Sequence, residues 1–234
     1  MGFQEKVALV TGAGSGIGRA VAIHLAREGA WVALCGRREE PLRETGRLAP
    51  ALPGRTTALP MDVRIEDDVA GGFDLAERGL GPIDVVIACH GVNTLSRVEE
   101  TPIEEWDEVV ETNLTGTFLV AREAARRMRP LRAGRIVLVS SVSGRPGFRK
   151  FPGFAAYASS KYALTGLVEV LAAELAGSGV GLAMVCPIGV DTEMFRRTFP
   201  GAAAALTPEQ VAAAIADLAD PASPPQAGAI VELT

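Results

Sequence analysis

The sequence predicts an α/β fold in which a doubly wound parallel sheet of about seven strands carries helices on both faces. Short apolar or β-branched runs alternate with longer, amphipathic, alanine-rich segments, which is typical of βαβ units. The first run, Val7 to Val10, is followed at once by a glycine-rich turn and an amphipathic segment. With 234 residues and 48% hydrophobic content the chain can bury one large core, and we predict a single domain over residues 1–234.

The elements are assigned from these runs in chain order. Strands are predicted at 6–10, 31–35, 55–60, 83–88, 134–140, 180–185 and 228–232. Helices are predicted at 16–28, 39–49, 65–77, 103–129, 155–177 and 207–219. Gly71 and Gly72 weaken the third helix, because each glycine in a helix interior costs about 1 kcal/mol relative to alanine. The proline-rich stretch 221–225 is short enough to be a loop before the last strand.

Composition excludes several classes of protein. A net charge of −5 without a basic tail argues against nucleic acid as the main partner. The longest apolar runs, such as 136–139 and 180–185, are far too short to cross a bilayer, so we expect a soluble, cytoplasmic protein without a membrane partner. His24 and His90 are too few and too far apart to indicate a metal site, and none is predicted.

The three cysteines, Cys35, Cys89 and Cys186, also lack the spacing of metal ligands. Each falls near the end of an apolar run. We interpret them as buried, reduced thiols without a chemical role.

Two motifs carry the chemistry. Residues 11–18 read TGAGSGIG, and glycines after a strand let the backbone turn tightly and approach a pyrophosphate at the N-terminus of the next helix. Far downstream, Tyr157 and Lys161 are four residues apart, so on a helix they share one face. A free phenol has a pKa of about 10, and a nearby cation favours its ionised form. The pair therefore predicts a phenol tuned for proton transfer beside a bound dinucleotide.

The turn, with Gly12, Gly16 and Gly18 after a threonine, differs from the GxGxxG fingerprint and resembles the TGxxxGIG turn of the short-chain dehydrogenase/reductase (SDR) family. The resemblance continues from residue 6 to about 194. Asp62-Val63 matches the adenine-contacting pair of the family, with a helix N-cap as an equally physical role for Asp62. Asn113, Ser141, Tyr157 and Lys161 occur in the order of the family's catalytic set.

This resemblance implies a Rossmann-type sheet with strand order 3-2-1-4-5-6-7 and a definite mechanism. Tyr157 would donate a proton to a carbonyl oxygen as hydride arrives at the carbon, and Ser141 would hold that oxygen by a hydrogen bond. Lys161 would lower the pKa of Tyr157 and bind the nicotinamide ribose, while Asn113 would hold a water that links Lys161 to solvent. The resemblance assigns cofactor binding to Gly12, Ser15, Gly16, Ile17, Gly18, Arg37, Arg38, Asp62, Val63, Gly91, Tyr157, Lys161, Pro187 and Thr192.

The second strand ends in Gly36, where NAD-using relatives have an acidic residue, and Arg37 and Arg38 follow. Guanidinium groups suit a 2′-phosphate, which favours NADP(H) over NAD(H). Ser15, at a position that is basic in other NADP-using relatives, adds no charge. Arg37 could also be a solvated residue at the start of a helix.

Three segments depart from the family pattern. Residues 88–91 read ACHG where the family has NNAG, so Cys89 is expected to pack beneath the cofactor and His90 to have a positional role. The stretch between Ser141 and Tyr157 is longer than usual and contains Phe-Arg-Lys-Phe at 148–151. We expect a solvated loop there, the alternative being a pocket wall that favours an anionic substrate.

The third departure is Ile188 after Pro187, which is expected to reshape the floor of the site, whereas Thr192 is retained as a contact for the nicotinamide carboxamide. The lid that follows is short, from Glu193 to about Leu206. Its candidate apolar contacts are Met194, Phe195 and Phe199, which equally suit packing against the core.

The function predicted from the sequence is an NADP(H)-dependent oxidoreductase that interconverts a small-molecule ketone or aldehyde and an alcohol. A 3-oxoacyl thioester reductase is the alternative within the family, with Arg149 and Lys150 as partners for a phosphorylated carrier arm. An alternative of another class is a non-catalytic NADP(H) sensor, against which the complete set of four catalytic residues argues. The resemblance also implies a homodimer or homotetramer.

Overall fold

A computed structural model describes residues 2–49 and 56–234. Seven parallel strands form one sheet in the order β3-β2-β1-β4-β5-β6-β7, which confirms the predicted fold class and strand order. The strands are β1 (Val7–Thr11), β2 (Trp31–Gly36), β3 (Thr56–Pro60), β4 (Val85–Ala88), β5 (Gly134–Val139), β6 (Val180–Pro187) and β7 (Ala227–Leu233). Residue 55, the predicted start of β3, lies outside the described residues.

Eight α-helices surround the sheet within the described ranges. They are α1 (Gly16–Arg27), α2 (Glu39–Leu48), α3 (Glu66–Leu80), α4 (Ile103–Val110), α5 (Gly116–Leu131), α6 (Ala155–Leu175), α7 (Glu193–Thr198) and α8 (Pro208–Ala219). None of the helices in the described part of the chain is long and apolar enough to cross a membrane.

Two hydrophobic layers cover the two faces of the sheet, because successive side chains of a strand point to opposite faces. In β1, Val7 and Leu9 pack with α3, α5 and α6, whereas Ala8 and Val10 pack with α1, α2 and α8. The central strands are buried on both faces and consist of continuous apolar runs, which explains why the sequence located them.

Helix ends follow local chemistry where it is strong. The Thr207 hydroxyl accepts a hydrogen bond from the Gln210 N–H, the Gln210 side-chain oxygen accepts one from the Thr207 N–H, and Pro208 occupies the first turn. This capping box fixes the start of α8 within a residue of the predicted boundary.

The predicted helix over 103–129 is interrupted. A wider, π-type turn covers Glu111–Thr115 between α4 and α5, so the structure has two helices joined by a local expansion of the backbone. Short 3₁₀ turns at Val98–Glu100 and Val142–Gly144, and the helix α7, were not predicted either.

The strand order reverses direction between β1 and β4, since the chain runs outward through β2 and β3 on one side and through β5 to β7 on the other. In open parallel sheets such a switch point leaves a crevice at the carboxyl ends of the strands. The residues singled out by the sequence follow β1, β2, β4, β5 and β6 and therefore meet at this edge.

Candidate active site

A cleft of about 420 Å³ opens at this edge beside the glycine-rich turn after β1. The backbone there adopts left-handed angles, with φ of +66° at Gly12 and +51° at Gly16, which favour glycine. Because α1 begins at Gly16, the unpaired N–H groups of its first turn lie at the same place. Bare backbone and free N–H donors suit a pyrophosphate, so the turn fits a dinucleotide.

Most residues assigned to cofactor binding are brought together around this cleft. Those that line it are Gly12, Ser15, Gly16, Ile17, Gly18, Arg37, Arg38, Asp62, Val63, Gly91 and Thr192. Pro187 ends β6 and lines a neighbouring cavity together with Tyr157, whereas Lys161 is buried and lines neither space.

Asp62 is held by a charged partner rather than by a helix. Its carboxylate accepts hydrogen bonds from the Arg64 side chain at 2.6–3.1 Å and from the Arg64 N–H at 3.0 Å. The hydrogen bonds from Arg64 hold the pKa of Asp62 below its usual value. The N-cap of α3 is Ile65, so the expected capping role of Asp62 is wrong, because the side chain closes a turn with Arg64 instead.

Asn113 lies fully buried in the π-type turn. Its side-chain oxygen accepts from the Val92 N–H at 2.8 Å, and its NH₂ donates to the Val92 carbonyl at 2.9 Å and to the Ser160 hydroxyl at 3.0 Å. The side chain thus clamps the segment after β4 to α6. Both side-chain N–H groups are used, so a water held by Asn113 would have to donate to one of its oxygens, each of which already accepts one hydrogen bond.

Lys161 is tied to the end of β5 in both directions. Its ammonium donates to the Val139 carbonyl at 2.9 Å, and its own carbonyl accepts from the Ser140 hydroxyl at 3.1 Å. Gly144 passes so close that a Cβ there would lie 2.5 Å from the Lys161 carbonyl. Burial lowers the pKa of Lys161 to about 8. The lysine is therefore positioned by backbone contacts from two elements.

Tyr157 and Ser141 meet at the wall of a cavity of about 400 Å³. Burial raises the pKa of Tyr157, and a hydrogen bond with the Ser141 side chain offsets part of that rise. The spacing predicts that Lys161 lowers the pKa of Tyr157, but in this arrangement Lys161 makes no such contribution. The ammonium lies 5.9 Å from the centre of the Tyr157 ring because the Val139 carbonyl binds it. The phenol is consequently protonated at neutral pH.

The cavity and the cleft meet at three shared residues, Ile17, Thr192 and Met194. A ligand that fills the cleft therefore reaches the cavity that Ser141 and Tyr157 line. This continuity joins the two motifs of the sequence into one site.

The family model described as "short chain dehydrogenase" matches residues 6–203 of this chain. The chain belongs to the short-chain dehydrogenase family. Its relatives include a 3beta-hydroxysteroid dehydrogenase of Mediterraneibacter gnavus, 39% identical over 84% of this chain and 70% of the relative. A hydroxynaphthalene reductase of Aspergillus fumigatus is 33% identical over 90% of this chain and 77% of the relative.

A crystal structure of a short-chain type dehydrogenase/reductase from Mycobacterium marinum has a similar fold, with a TM-score of 0.90 at 29% identity over 99% of this chain and 94% of the other. This short-chain dehydrogenase is accordingly an oxidoreductase that acts on CH–OH or C=O groups of small molecules and uses a nicotinamide cofactor.

In this short-chain dehydrogenase, Cys89 and His90 stand at positions where the family has the NNAG motif, and the structure shows where each side chain lies. Cys89 is half-buried and lines the cleft, and burial raises the pKa of its thiol to about 12, so it is not a nucleophile at neutral pH. Cys35 and Cys186 are buried free thiols, as predicted.

His90 bridges two elements of the site. Thr117 donates its only hydroxyl proton to the Asn113 carbonyl at 2.7 Å, so at 3.1 Å from His90 Nε2 it can only accept. Nε2 therefore carries the proton, and Nδ1 accepts from the Thr11 hydroxyl at 2.6 Å. Burial lowers the pKa of His90 to about 3, which keeps the ring neutral. The imidazole thus links the end of β1 to the turn that holds Asn113.

Replacing His90 by alanine is expected to lower the free energy of unfolding by about 1–3 kcal/mol, since two buried hydrogen bonds are lost. Denaturant unfolding measures the change. His24→Ala is the matched control, because His24 Nε2 has no hydrogen-bond partner within residues 2–49 and 56–234 and its loss breaks no such bond.

The side-chain ¹⁵N shifts of the chain's two histidines give a direct check of the tautomer. A neutral ring protonated on Nε2 down to pH 5 is expected for His90. A ring that titrates between pH 6 and 7 would contradict the bridge.

The lid is short, as predicted, and Met194, Phe195 and Phe199 line the cavity. The long stretch 142–156 is a pocket wall and not a solvated loop, because Phe148 and Phe151 line the same cavity. The alternative predicted from the sequence linked a pocket wall at this place to an anionic substrate. Because the wall is apolar, the structure gives no support to an anionic substrate. Ile188 also lines this cavity, as expected for the floor.

Sequence reasoning missed several residues of the site. Asn93 donates to the Thr198 hydroxyl at 2.8 Å and ties the segment after β4 to α7. Arg197 of α7 lines the cleft. Asn93 and Arg197 do not lie in a sequence motif. The clustering of phenylalanines at 148–154 and 195–199 was the available signal for the aromatic wall.

Proposed function

We propose that this chain is an NADP(H)-dependent reductase that converts a ketone or aldehyde to an alcohol, and the reverse, with Tyr157 as general acid/base. One observation carries the proposal. Tyr157 and Ser141 line a cavity that joins the glycine-turn cleft at Ile17 and Thr192, where a cofactor and a substrate would meet.

The bound dinucleotide would supply or accept hydride at its nicotinamide ring. The turn at Gly12 and Gly16 and the start of α1 would hold its pyrophosphate, and Asp62 would contact its adenine. Lys161 would bind the nicotinamide ribose, and Thr192, next to Gly16, would contact the carboxamide. These contacts would orient the reacting ring toward Tyr157.

The protein's own part in the reaction is proton transfer and orientation. Ser141 would bind the substrate oxygen and Tyr157 would donate its proton to it, so negative charge does not accumulate there. Because burial raises the pKa of Tyr157, the phenol carries the proton that reduction consumes. At neutral pH, reduction therefore starts from the protonated phenol, and the clamp formed by Asn113 keeps α6 in place.

Loss of NADPH absorbance with a broad panel of ketones and aldehydes, together with stoichiometric alcohol formation, tests the proposal. Tight NADPH binding without turnover of any member would instead support the non-catalytic sensor.

The preference for NADP(H) rests on Arg37 and Arg38, which line the cleft after Gly36. The Arg37 guanidinium is 3.9 Å from the Glu108 carboxylate, and both side chains are about half exposed. Arg38 makes no ion pair within the described ranges of the chain. The Arg38 guanidinium, and that of Arg37 with its long, exposed pairing to Glu108, are therefore available to a phosphate.

Replacing Arg37 and Arg38 by glutamine is expected to lower the ratio of kcat/KM for NADPH to that for NADH by about 10- to 100-fold, the value of one or two charge-assisted hydrogen bonds. Activity with NADH should change little. Arg43→Gln is the matched control, since Arg43 pairs with Glu39 on the exposed side of α2. A wild-type enzyme that prefers NADH would contradict the assignment.

The acyl thioester alternative receives no support from the cations that motivated it. Lys150 donates to the carbonyls of Ser143 and Arg145 at 2.6 and 2.7 Å, and the Arg149 guanidinium lies 5.6 Å from the centre of the Phe151 ring. Neither lines the cavity. A carrier arm remains a second candidate only through the family resemblance.

We also propose a homodimer or homotetramer in the cytoplasm. Tyr162 and Val170 are eight residues apart on α6 and are 46% and 59% exposed, with open space at Gly166 between them. An apolar face of this kind suits packing against a second copy. Three free cysteines suit a reducing compartment.

A further inference from the structure

The cavity beside Tyr157 is built mostly from phenylalanine. Five of the chain's eight phenylalanines line it: Phe148, Phe151, Phe154, Phe195 and Phe199. They come from two segments about forty residues apart, the long stretch before α6 and the lid. The core layers of the sheet, by contrast, are filled mainly by aliphatic side chains together with Phe3 and Phe73.

The rings contact one another and form a continuous wall. Phe154 and Phe199 are stacked with centroids 5.6 Å apart and planes at 20°. Phe199 also contacts Phe151 at 5.5 Å and Phe195 at 5.3 Å, and Phe154 meets the edge of Tyr157 at 5.6 Å. These distances are typical of attractive aromatic pairs. The wall therefore runs from the catalytic phenol outward to the lid.

Polar groups of the cavity are largely occupied by the protein. Asn93 and Thr198 are bonded to each other, and the Ser140 hydroxyl donates to the Lys161 carbonyl. Free hydrogen-bonding capacity is left at Ser141 and Tyr157 and at the nearby Ser143 hydroxyl. No charged side chain is among the described residues that line the cavity.

A ligand with a buried charge would consequently lack a partner, and burying an unpaired charge is very costly. A ligand with a polar atom at these hydroxyls and a broad apolar body would match the rest of the lining. From this we infer that the substrate is an uncharged cyclic ketone with a fused-ring, apolar body, which packs on the wall formed by Phe151, Phe154 and Phe199 while its oxygen meets Ser141 and Tyr157. The inference rests on the proposed function.

The reaction balances without a further reagent. Hydride from NADPH forms the new C–H bond at the carbonyl carbon, and the C=O π bond breaks. The oxygen takes the proton of Tyr157, which is replaced from solvent. The ketone is reduced to a secondary alcohol and NADPH is oxidised to NADP⁺.

The test compares NADPH-dependent turnover of cyclohexanone, β-tetralone and a tetralone carboxylate by the purified protein. We expect kcat/KM for β-tetralone to exceed that for cyclohexanone by about 10-fold or more, since the second ring buries additional apolar surface. The carboxylate should be a poorer substrate than β-tetralone by at least a similar factor.

Variants locate the effect. Phe151→Ala and Phe199→Ala are expected to lower kcat/KM for β-tetralone about 10-fold and to leave cyclohexanone within about two-fold. Phe199→Leu replaces Phe199→Ala if the latter does not fold, as judged by Tm and NADPH binding. Arg149→Gln is the control, because Arg149 covers Phe151 without lining the cavity.

The outcomes separate the two proposals. Equal turnover of cyclohexanone and β-tetralone, or a preference for the carboxylate, overturns the substrate class and leaves the proposed function intact. Loss of activity in Arg149→Gln confined to anionic substrates also overturns it. If no ketone is reduced while NADPH binds tightly, the proposed function itself is wrong.

Discussion

Tyr157→Phe is expected to lower kcat for ketone reduction by about 10²- to 10⁴-fold, the range attributed to a positioned general acid. The substitution removes one oxygen and its proton and preserves the ring. The edge contact of that ring with Phe154 is therefore kept, and the aromatic wall stays in place. NADPH binding should change little, as measured by the fluorescence of the bound cofactor.

Tyr162→Phe is the matched control. Tyr162 is the chain's only other tyrosine and lies next to Lys161 in sequence, but its ring is exposed and lies against Lys150. It should retain wild-type kcat. Wild-type turnover by Tyr157→Phe on the same substrate would refute the assigned proton donor.

Lys161→Met is expected to lower kcat/KM for reduction by about 100-fold or more, because the cation proposed to hold the cofactor ribose beside the phenol is removed. The pH profile supplies a second readout. Since the pKa of Lys161 is lowered to about 8, the ammonium is present below pH 8 and is lost as the pH rises through that value. Wild-type activity should therefore fall above about pH 8, and the variant should lack this limb.

Lys161→Met should lower activity but should not lower thermal stability. The pKa of Lys161 is about 8 in the folded protein and about 10.4 in the unfolded chain, so between these two pH values the folded state binds fewer protons. Stability therefore rises as the pH increases through this range. At neutral pH, where both states are charged, the buried ammonium destabilises the fold. Lys161→Met should keep or raise Tm at pH 7. Lys6→Met, at an exposed ion pair with Asp84, serves as the control and should leave the pH limb unchanged. An activity limb near pH 8 that survives in Lys161→Met would contradict the assignment.

The sheet and its order follow from the sequence because buried parallel strands are continuous apolar runs and the family motif orders them. The π-type turn at Asn113 did not follow, since the apolar pattern continues through it with a helical period. Hydrogen bonds to Val92 and Ser160, which are remote in sequence, occupy its side chain there.

Tyr157 and Lys161 were identifiable by their spacing, and Asn113 and Ser141 by the family resemblance, but the electrostatics of the site were not. The i, i+4 spacing places Lys161 and Tyr157 on one face, whereas the Val139 carbonyl, from another element, decides where the ammonium lies. The aromatic wall was hidden for a similar reason. Only the crossing of the lid over the stretch before α6 brings Phe199 against Phe151 and Phe154.

A crystal structure of the protein with NADP⁺ and a secondary alcohol tests the central claim most directly. We expect the Tyr157 Oη at about 2.7 Å from the alcohol oxygen, with Ser141 Oγ on the same oxygen and the nicotinamide C4 facing the carbinol carbon. An alcohol oxygen bound away from Tyr157, or a nicotinamide ring separated from the phenol by protein, would contradict the proposed reaction.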